Sequence, residues 1–327
     1  MRLRKLDIAK GIGILLIVQG HVHNTPTIHD SIFLFHLPLF YTISGYLYNK
    51  NYTIIETIEK KARSLLIPCG FFMILLLMVS VPFFKLIGTP VFISFGILLH
   101  PWGVVGSLWF FYSLFCVVVM FKIIDRIVPY EILKLIAVLV LFFGGLLLGR
   151  QHIEIPFYVD SSLTVLIFYA IGYWGRKYLL VEKLLYVGGA GVAIYYFVTK
   201  QIPVIDLKTN TFSDPLCIFL SSSASFLLIR ISALIEKTKL DKVFAYLGEK
   251  SLIIFPLHLL FFEFIYLVVA RDNYYSVLVS SLSVALILIT DKLVRTEKLL
   301  LHINNGSLQI LAFLARHLPV NLNKSNL

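Results

Sequence analysis

Long apolar runs separated by short polar and basic segments dominate the pattern of this chain. Runs of about 20 apolar residues are typical of α-helices that cross a bilayer. Ten such runs are predicted as membrane spans: 8–23, 31–48, 65–86, 104–121, 132–149, 161–175, 184–199, 214–234, 251–270 and 274–294. Several are short for a span, so tilt or local thinning of the bilayer is expected. The pattern predicts an all-α integral membrane protein with about ten transmembrane helices.

Two segments do not follow the pattern of the spans. Residues 88–100 are apolar but too short to cross, and they contain Gly88 and Pro90, so an interfacial or re-entrant segment is expected. Residues 298–327 alternate apolar clusters with polar and basic residues, which indicates an amphipathic helix lying on the inner leaflet. We therefore divide the chain into a transmembrane domain, 1–297, and a cytoplasmic tail, 298–327.

The basic residues are distributed unevenly between the two sides of the predicted membrane. With the N-terminus inside, 24 of the 29 Lys and Arg residues fall on the cytoplasmic side. The five exceptions are Lys85, Arg150, Lys200, Lys208 and Arg271. This bias predicts that both termini are cytoplasmic. Topology and contact with anionic lipid account for the net charge of +11, so no nucleic-acid partner is expected.

Composition agrees with a membrane protein and narrows the chemistry. The chain is 58% hydrophobic and 14% charged, against roughly 25% charged in soluble domains. The three cysteines, Cys69, Cys116 and Cys217, lie in apolar runs without C-x-x-C spacing, so structural burial is expected rather than disulfide or thiol chemistry. No H-E-x-x-H motif or Walker A glycine loop is present, and no metal site is expected.

The first predicted span carries three ionisable residues, Asp7, Lys10 and His21, in an otherwise apolar helix. A helix turns about 100° per residue, so Lys10 and His21 share a face and lie about 16 Å apart along the axis. Asp7 falls on the same side. Ionisable groups at membrane depth are costly and occur mainly where they line a cavity or take part in chemistry. This face is therefore predicted to be one wall of a site that extends from the cytoplasmic surface into the bilayer.

Each residue of this face also has a simpler explanation. Lys10 could extend its ammonium to the headgroups, and His21 could be an interfacial histidine without a task. Asp7 could be an ordinary acidic charge at a helix N-terminus. The helix also contains glycines that allow either close packing of helices or room for a ligand: Gly11, Gly13 and Gly20.

Four further side chains are candidates for contact with a substrate: His36, Trp109, Arg150 and His258. His36 is expected near the depth of His21, where it either shapes an acceptor site or packs as a structural histidine. Trp109 is either a packing aromatic or a ligand platform. Arg150, at the outer end of the fifth span, is placed where it could touch an acceptor. His258 is polar at membrane depth, which favours a functional role.

Four motifs resemble the acyltransferase-3 family of bacterial membrane acyltransferases. The first is R-L-x-K-L-D-x-x-K-G-x-x-x-L-L-x-V-x-x-H, and F-H-L-P-L-F-Y-T-I-S-G-Y-L follows it. The resemblance continues in S-L-W-F-F-Y-S-L-F, which contains Trp109, and in Y-L-G-E-K-S-L-I-I-F-P-L-H, which ends at His258. The first two motifs together are the most specific. The nearest branch is the fucose-acetylase-like one, which O-acetylates surface polysaccharides.

The resemblance implies a ten-span membrane enzyme of the bacterial cytoplasmic membrane that holds no tightly bound cofactor. Its donor would be cytoplasmic acyl-CoA, with acetyl-CoA expected from family frequency. Its acceptor would be a sugar hydroxyl of a surface polysaccharide or of a lipid-linked precursor, presented at the opposite face. The family more commonly has arginine at the position of Lys10. Lysine keeps the charge but lacks the bidentate fork that suits phosphate oxygens.

The roles expected on this basis follow the order of groups along the first helix. His21 is expected to act as the general base for the acceptor hydroxyl, or to carry the acyl group transiently. Lys10 is expected to attract CoA phosphates or to position the thioester, and Asp7 to hold Lys10. His36, Trp109, Arg150 and His258 are expected on the acceptor side. The competing class is a non-enzymatic transporter or exporter of polysaccharide.

Overall fold

The computed structural model describes residues 3–22, 24–88, 95–200, 203–269 and 275–294, with 296, 299–300 and 302–303 beyond them. The helices in these ranges are α1 Arg4–His21, α2 Pro26–Phe33, α3 His36–Tyr46, α4 Ile54–Lys61, α5 Ile67–Leu86, α6 Trp109–Ile127, α7 Glu131–Arg150, α8 Val159–Lys177, α9 Leu179–Thr199, α10 Cys217–Ile235, α11 Asp241–Ile265 and α12 Ser276–Val294. Most of the predicted tail, 298–327, lies outside the described residues.

Short elements join these helices. A π-helical turn, Ala62–Leu66, makes α4 and α5 continuous, and 3₁₀ turns cover Phe95–Leu98, Gly103–Leu108 and Pro156–Tyr158. The predicted interfacial segment 88–100 lies partly outside the described residues. Two short strands, β1 Ile205–Asp206 and β2 Thr211–Phe212, pair antiparallel between α9 and α10. The described chain is therefore almost entirely helical, as the sequence predicts.

Seven helical segments of the described chain are long and apolar enough to cross a membrane. Among them is α7, of whose 20 residues only four are buried in the protein. The central helices α1 and α8 are not among the seven, yet 10 of 18 and 14 of 19 of their residues are buried. Helices surrounded by protein can carry polar groups that lipid-facing helices exclude. Burial therefore explains why these two central helices are less apolar than the outer ones.

Three predicted spans differ clearly from the observed helices. The span predicted at 251–270 begins ten residues earlier, because α11 is continuous from Asp241 to Ile265. The apolar run 31–48 is interrupted after α2, because α3 begins at His36 and places Pro38 in its first turn, where proline is tolerated. The span predicted at 65–86 belongs to a longer helical segment, Ile54–Leu86. That segment begins at a capping box, in which Thr53 and Glu56 satisfy each other's backbone N–H groups.

Helices α1 and α11 pack in parallel at the centre of the fold. At their N-terminal ends the guanidinium of Arg4 meets the carboxylate of Asp241 at 2.9 Å. Further along, a Cβ on Gly11 would collide with the Phe244 carbonyl, and a Cβ on Gly248 would collide with the Asp7 carbonyl. Only glycine allows two backbones to approach this closely. We call the end of the bundle at Arg4 the basic end and the end at His21 the histidine end.

Close packing also joins α3 to α8. A Cβ on Gly45 would meet the Tyr169 carbonyl, and one on Gly172 would meet the Thr42 carbonyl. At the basic end, the Lys134 ammonium lies 2.6 Å from the Asp125 carboxylate, with both side chains almost fully buried. This ion pair connects α7 to α6. Of the helices in these contacts, α3 is the one that packs against α1.

Candidate active site

Three histidines from three helices converge at the histidine end. The rings of His21 on α1 and His258 on α11 have centroids 4.9 Å apart, and the ring of His36 on α3 lies 6.2 Å from that of His21. His36 and His258 are 1% and 0% exposed, whereas His21 is half-buried. His21 is therefore the member of this histidine cluster that a substrate can reach most directly.

Each ring of the histidine cluster is oriented by a backbone carbonyl of its own helix or of the helix before it. The Nδ1 atoms lie 2.9 Å from Ile17 O for His21, 2.8 Å from Ile32 O for His36 and 2.5 Å from Phe255 O for His258. A carbonyl oxygen can only accept, so Nδ1 carries the proton in each ring. Each Nε2 is then left with a lone pair. The Nε2 atoms of His36 and His258 are buried and have no hydrogen-bond partner in the described structure.

Aromatic rings surround the histidine cluster. Phe33, at the end of α2, lies 5.3 Å from the His21 ring and 4.7 Å from the His36 ring. On the other side, Phe255 and Phe262 lie 5.9 Å and 5.5 Å from the His258 ring. Such apolar walls exclude water and strengthen electrostatic interactions inside the site. A reaction at this cluster would be shielded from bulk solvent.

The other polar pair of α1 lies at the basic end. The Lys10 ammonium is 2.8 Å from the Asp7 carboxylate, and the Lys10 side chain is 26% exposed. Lys61 lies close enough to Lys10 for their ammonium groups to repel each other. Asp7 thus holds Lys10, which is one of the two roles that the sequence left open. A site with two neighbouring ammonium groups attracts polyanions.

The glycines of α1 serve helix packing. Gly11 faces α11, as described above, while a Cβ on Gly13 would approach Leu39 to 2.7 Å and one on Gly20 would approach Ile32 to 2.9 Å. Of the two explanations for these glycines, close packing is the observed one at all three positions. Gly20 in particular lets α2 approach α1 and brings Phe33 to the histidine cluster.

Trp109 and Arg150 do not join the histidine cluster. Trp109 is 6% exposed, and its ring packs against Phe110 and Tyr158 with centroid distances of 6.5 Å and 5.6 Å. Arg150 and His152 line a separate cavity of about 250 Å³ next to β2. Arg150 and His152 lie at the histidine end, because α7 ends there at Arg150. Among the described residues, no group of three or more His, Cys, Asp or Glu is arranged to hold a metal ion.

The sequence identified all three histidines but could not predict that they meet. His21 and His36 are close in the chain, because only the short helix α2 separates the end of α1 from the start of α3. His258 reaches His21 through the packing of α1 against α11, and that pairing has no local sequence signal apart from Gly11 and Gly248. Pro38 was the available signal for the helix break that brings His36 to the start of α3.

The fold and the site define a multi-pass helical membrane protein whose central helices enclose a histidine cluster. The sequence profile described as "Acyltransferase domain" matches residues 3–291. The chain therefore belongs to the acyltransferase-3 family and is a membrane acyltransferase. No curated protein and no solved structure matches the chain.

Proposed function

We propose that this protein transfers an acetyl group from cytoplasmic acetyl-CoA to a hydroxyl of a cell-surface polysaccharide or of its lipid-linked precursor, in the bacterial cytoplasmic membrane. The observation that carries the proposal is the hydrogen bonding and the accessibility of the His21 ring. Its Nδ1–H donates to Ile17 O at 2.9 Å, which leaves Nε2 with a lone pair at the most accessible position of the histidine cluster. A fixed, neutral imidazole is suited to accept a proton from a hydroxyl.

The transfer proceeds by attack of the acceptor oxygen on the thioester carbonyl carbon. His21 Nε2 takes the hydroxyl proton as the new C–O bond forms, and the C–S bond then breaks to release CoA as a thiolate. The imidazolium returns its proton to that sulfur, so the ring ends neutral. His36 and His258 hold neutral rings beside His21, and their buried Nε2 atoms can accept a hydrogen bond from a substrate group.

The second part of the proposal concerns the donor. Lys10 and its neighbour Lys61 attract the phosphates of CoA to the basic end, while the thioester extends along α1 towards His21. Eleven residues separate Lys10 from His21, a rise of about 16 Å. The extended pantetheine arm of CoA is of that order of length. This arrangement allows the donor to enter from one side and the acceptor from the other.

The experiment is direct transfer by the purified protein in lipid. Acetyl-CoA labelled in the acetyl group and polysaccharide from the organism's own cells, stripped of O-acyl groups with mild base, are incubated with the protein. We expect the label to appear on the polysaccharide, in an ester that mild base removes. Absence of labelled ester with correctly folded protein would contradict the proposal, and ATP-independent accumulation of polysaccharide in sealed vesicles would favour the transporter instead.

A further inference from the structure

A second cavity opens at the histidine end, and the proposed chemistry at His21 does not use it. Its volume is about 240 Å³, below the ~300–1,000 Å³ of pockets for drug-sized ligands. It is lined by His100, Trp102, Glu154, Tyr158, Lys208 and Thr209, together with two further residues. A cavity of this size accommodates one small ring rather than a whole coenzyme.

The lining combines an aromatic face with hydrogen-bonding groups of both signs. The Trp102 side chain is 50% exposed, although large aromatic side chains normally bury most of their surface. Beside it stand the Glu154 carboxylate, the Lys208 ammonium and the Thr209 hydroxyl. His100 adds a buried Nε2 that has no hydrogen-bond partner in the described structure.

The cavity is held in shape by polar contacts between separate segments. The Tyr158 hydroxyl donates to Pro101 O at 3.1 Å, and the Lys208 ammonium donates to the same carbonyl at 3.3 Å. The Ser161 hydroxyl donates to Lys208 O at 2.7 Å, which fixes the hairpin on α8. Burial lowers the pKa of Lys208, while the carboxylates of Asp206 and Glu154 oppose this shift. A preformed pocket lowers the entropic cost of binding.

A chain of packed rings connects this cavity to the histidine cluster. Tyr158 lies 5.6 Å from Trp109, which lies 6.5 Å from Phe110. Phe110 is 5.2 Å from Phe255, and Phe255 is 5.9 Å from His258. The cavity and the histidines are therefore at the same end of the bundle and share one aromatic wall. A polymer bound at the cavity could extend along this end of the bundle towards His21.

We propose that this cavity is a binding subsite for one sugar ring of the acceptor, a proposal that rests on the proposed function. The C–H face of the ring would lie on Trp102, and its hydroxyls would bind Glu154, Lys208 and Thr209. A pyranose matches this lining, because its C–H face is apolar and the hydroxyls around its rim both donate and accept hydrogen bonds. A polyphosphate does not match it, since the carboxylates of Glu154 and Asp160 would repel it. A lipid chain does not match it either, because the cavity contains two carboxylates and an ammonium.

The test compares Trp102→Ala with Tyr195→Ala in the full-length protein in lipid nanodiscs. Tyr195 is a matched control, because it is an aromatic side chain on α9, 44% exposed, that does not line the cavity. The probe is tritium-labelled polysaccharide from the organism's own cells, stripped of O-acyl groups. We expect Trp102→Ala to weaken its binding by about tenfold or more, as for exposed tryptophans that anchor an interface. Tyr195→Ala should bind like the unmodified protein.

Kinetics separate this subsite from the acyl transfer itself. Trp102→Ala should raise KM for the polysaccharide by a similar factor while KM for acetyl-CoA stays unchanged, and Thr209→Val should act in the same direction more weakly. Unchanged polysaccharide binding and KM in Trp102→Ala would overturn the subsite and leave the proposed function standing. Failure of the unmodified protein to bind the polysaccharide would overturn both the subsite and the proposed acceptor. Loss of binding in Trp102→Ala by a protein that transfers no acetyl group would support the subsite and refute the proposed function.

Discussion

The imidazole rings of His21 and His258 meet edge to face, with centroids 4.9 Å apart and an interplanar angle of 72°. The same two helices are joined at their other ends by the ion pair of Arg4 with Asp241, whose residues are 237 positions apart, as the two histidines are. Seventeen residues separate the two contacts on each helix, a rise of about 25 Å. The parallel register of α1 and α11 is thus fixed at both ends, and this register sets the geometry of the histidine cluster.

Replacement of His21 tests the assignment of the base. His21→Ala should reduce acyl transfer by about 10²–10⁴-fold, the usual cost of losing a positioned general base. His21→Asn should be equally inactive, although its side-chain amide can still donate to Ile17 O. Both variants should bind acetyl-CoA normally, as measured by equilibrium binding in nanodiscs. His302→Ala is the control, because His302 is exposed and does not belong to the histidine cluster. Full transfer by a stably folded His21→Ala protein would rule out the mechanism.

Lys10 should act on the donor and not on the chemistry. Lys10→Ala should weaken binding of acetyl-CoA, because it removes the partly exposed ammonium that Asp7 holds at 2.8 Å. Lys10→Arg should keep most of the binding, since the charge is preserved. Lys237→Ala removes an exposed charge from the same end of the bundle and should have no effect. If Lys10→Ala binds acetyl-CoA as tightly as the unmodified protein, the basic end is not the donor site.

His36 should affect the acceptor. His36→Ala should raise KM for the polysaccharide and leave acetyl-CoA binding nearly unchanged. His36→Asn separates function from structure, because its amide can keep the hydrogen bond to Ile32 O that now spans 2.8 Å but has no atom at the Nε2 position. We expect both variants to show the same acceptor defect. Normal transfer kinetics in His36→Asn would make His36 a packing residue.

The approach of α1 to α11 should be sensitive to a single methyl group. Gly11→Ala places a Cβ against the Phe244 carbonyl and should destabilise the fold by ~1–3 kcal/mol, the usual cost of overpacking. Gly191→Ala is the matched control, because open space surrounds that helical glycine. It should be neutral or slightly stabilising, as alanine favours helix formation. Thermal unfolding in detergent measures the stability of both variants. Equal stabilities would show that α1 and α11 can move apart to accommodate the added methyl group without a loss of stability.

The predicted orientation can be tested with reporter fusions. The distribution of 24 basic residues against five predicts that both termini and the segment 49–64 are in the cytoplasm, with the segments 24–30 and 200–213 outside. The basic end would then face cytoplasmic acetyl-CoA and the histidine end the outer surface. A fusion that reports an external N-terminus would contradict the donor site, because Lys10 would then face away from CoA.

Hydrophobic pattern predicted the class of fold well and the edges of its helices less well. The apolar run 31–48 gave no sign of a break in hydropathy, and only Pro38 indicated that the helix must restart at His36. The segment 54–64 is too polar to be recognised as part of a span, yet its capping box starts the helix that continues into α5. The hydrophobic pattern identifies the residues that contact lipid, whereas the positions of helix ends depend on backbone hydrogen bonds.

The site was predictable as far as one helix determines it. The spacing of Asp7, Lys10 and His21 placed them on a single face, and the structure adds the ion pair between the first two. The contact of His21 with His258 depends on which helices are neighbours, and that information is not local in the sequence. The cavity at Trp102 is formed by three loops that meet at the histidine end, so no single sequence motif could predict it.

The pairing of the first helix with α11 has a consequence for biosynthesis. The 237 residues between Arg4 and Asp241 take roughly 12–50 s to translate at ~5–20 residues per second. During that interval α1 is already in the membrane with Arg4 lacking its eventual counter-ion and His21 lacking its facing ring. The ribosome must translate about four-fifths of the chain, up to His258, before both partners have been made. A prematurely terminated product that stops before α11 would insert most of its helices but could not assemble the histidine cluster, so unfinished chains would lack the site proposed for acyl transfer.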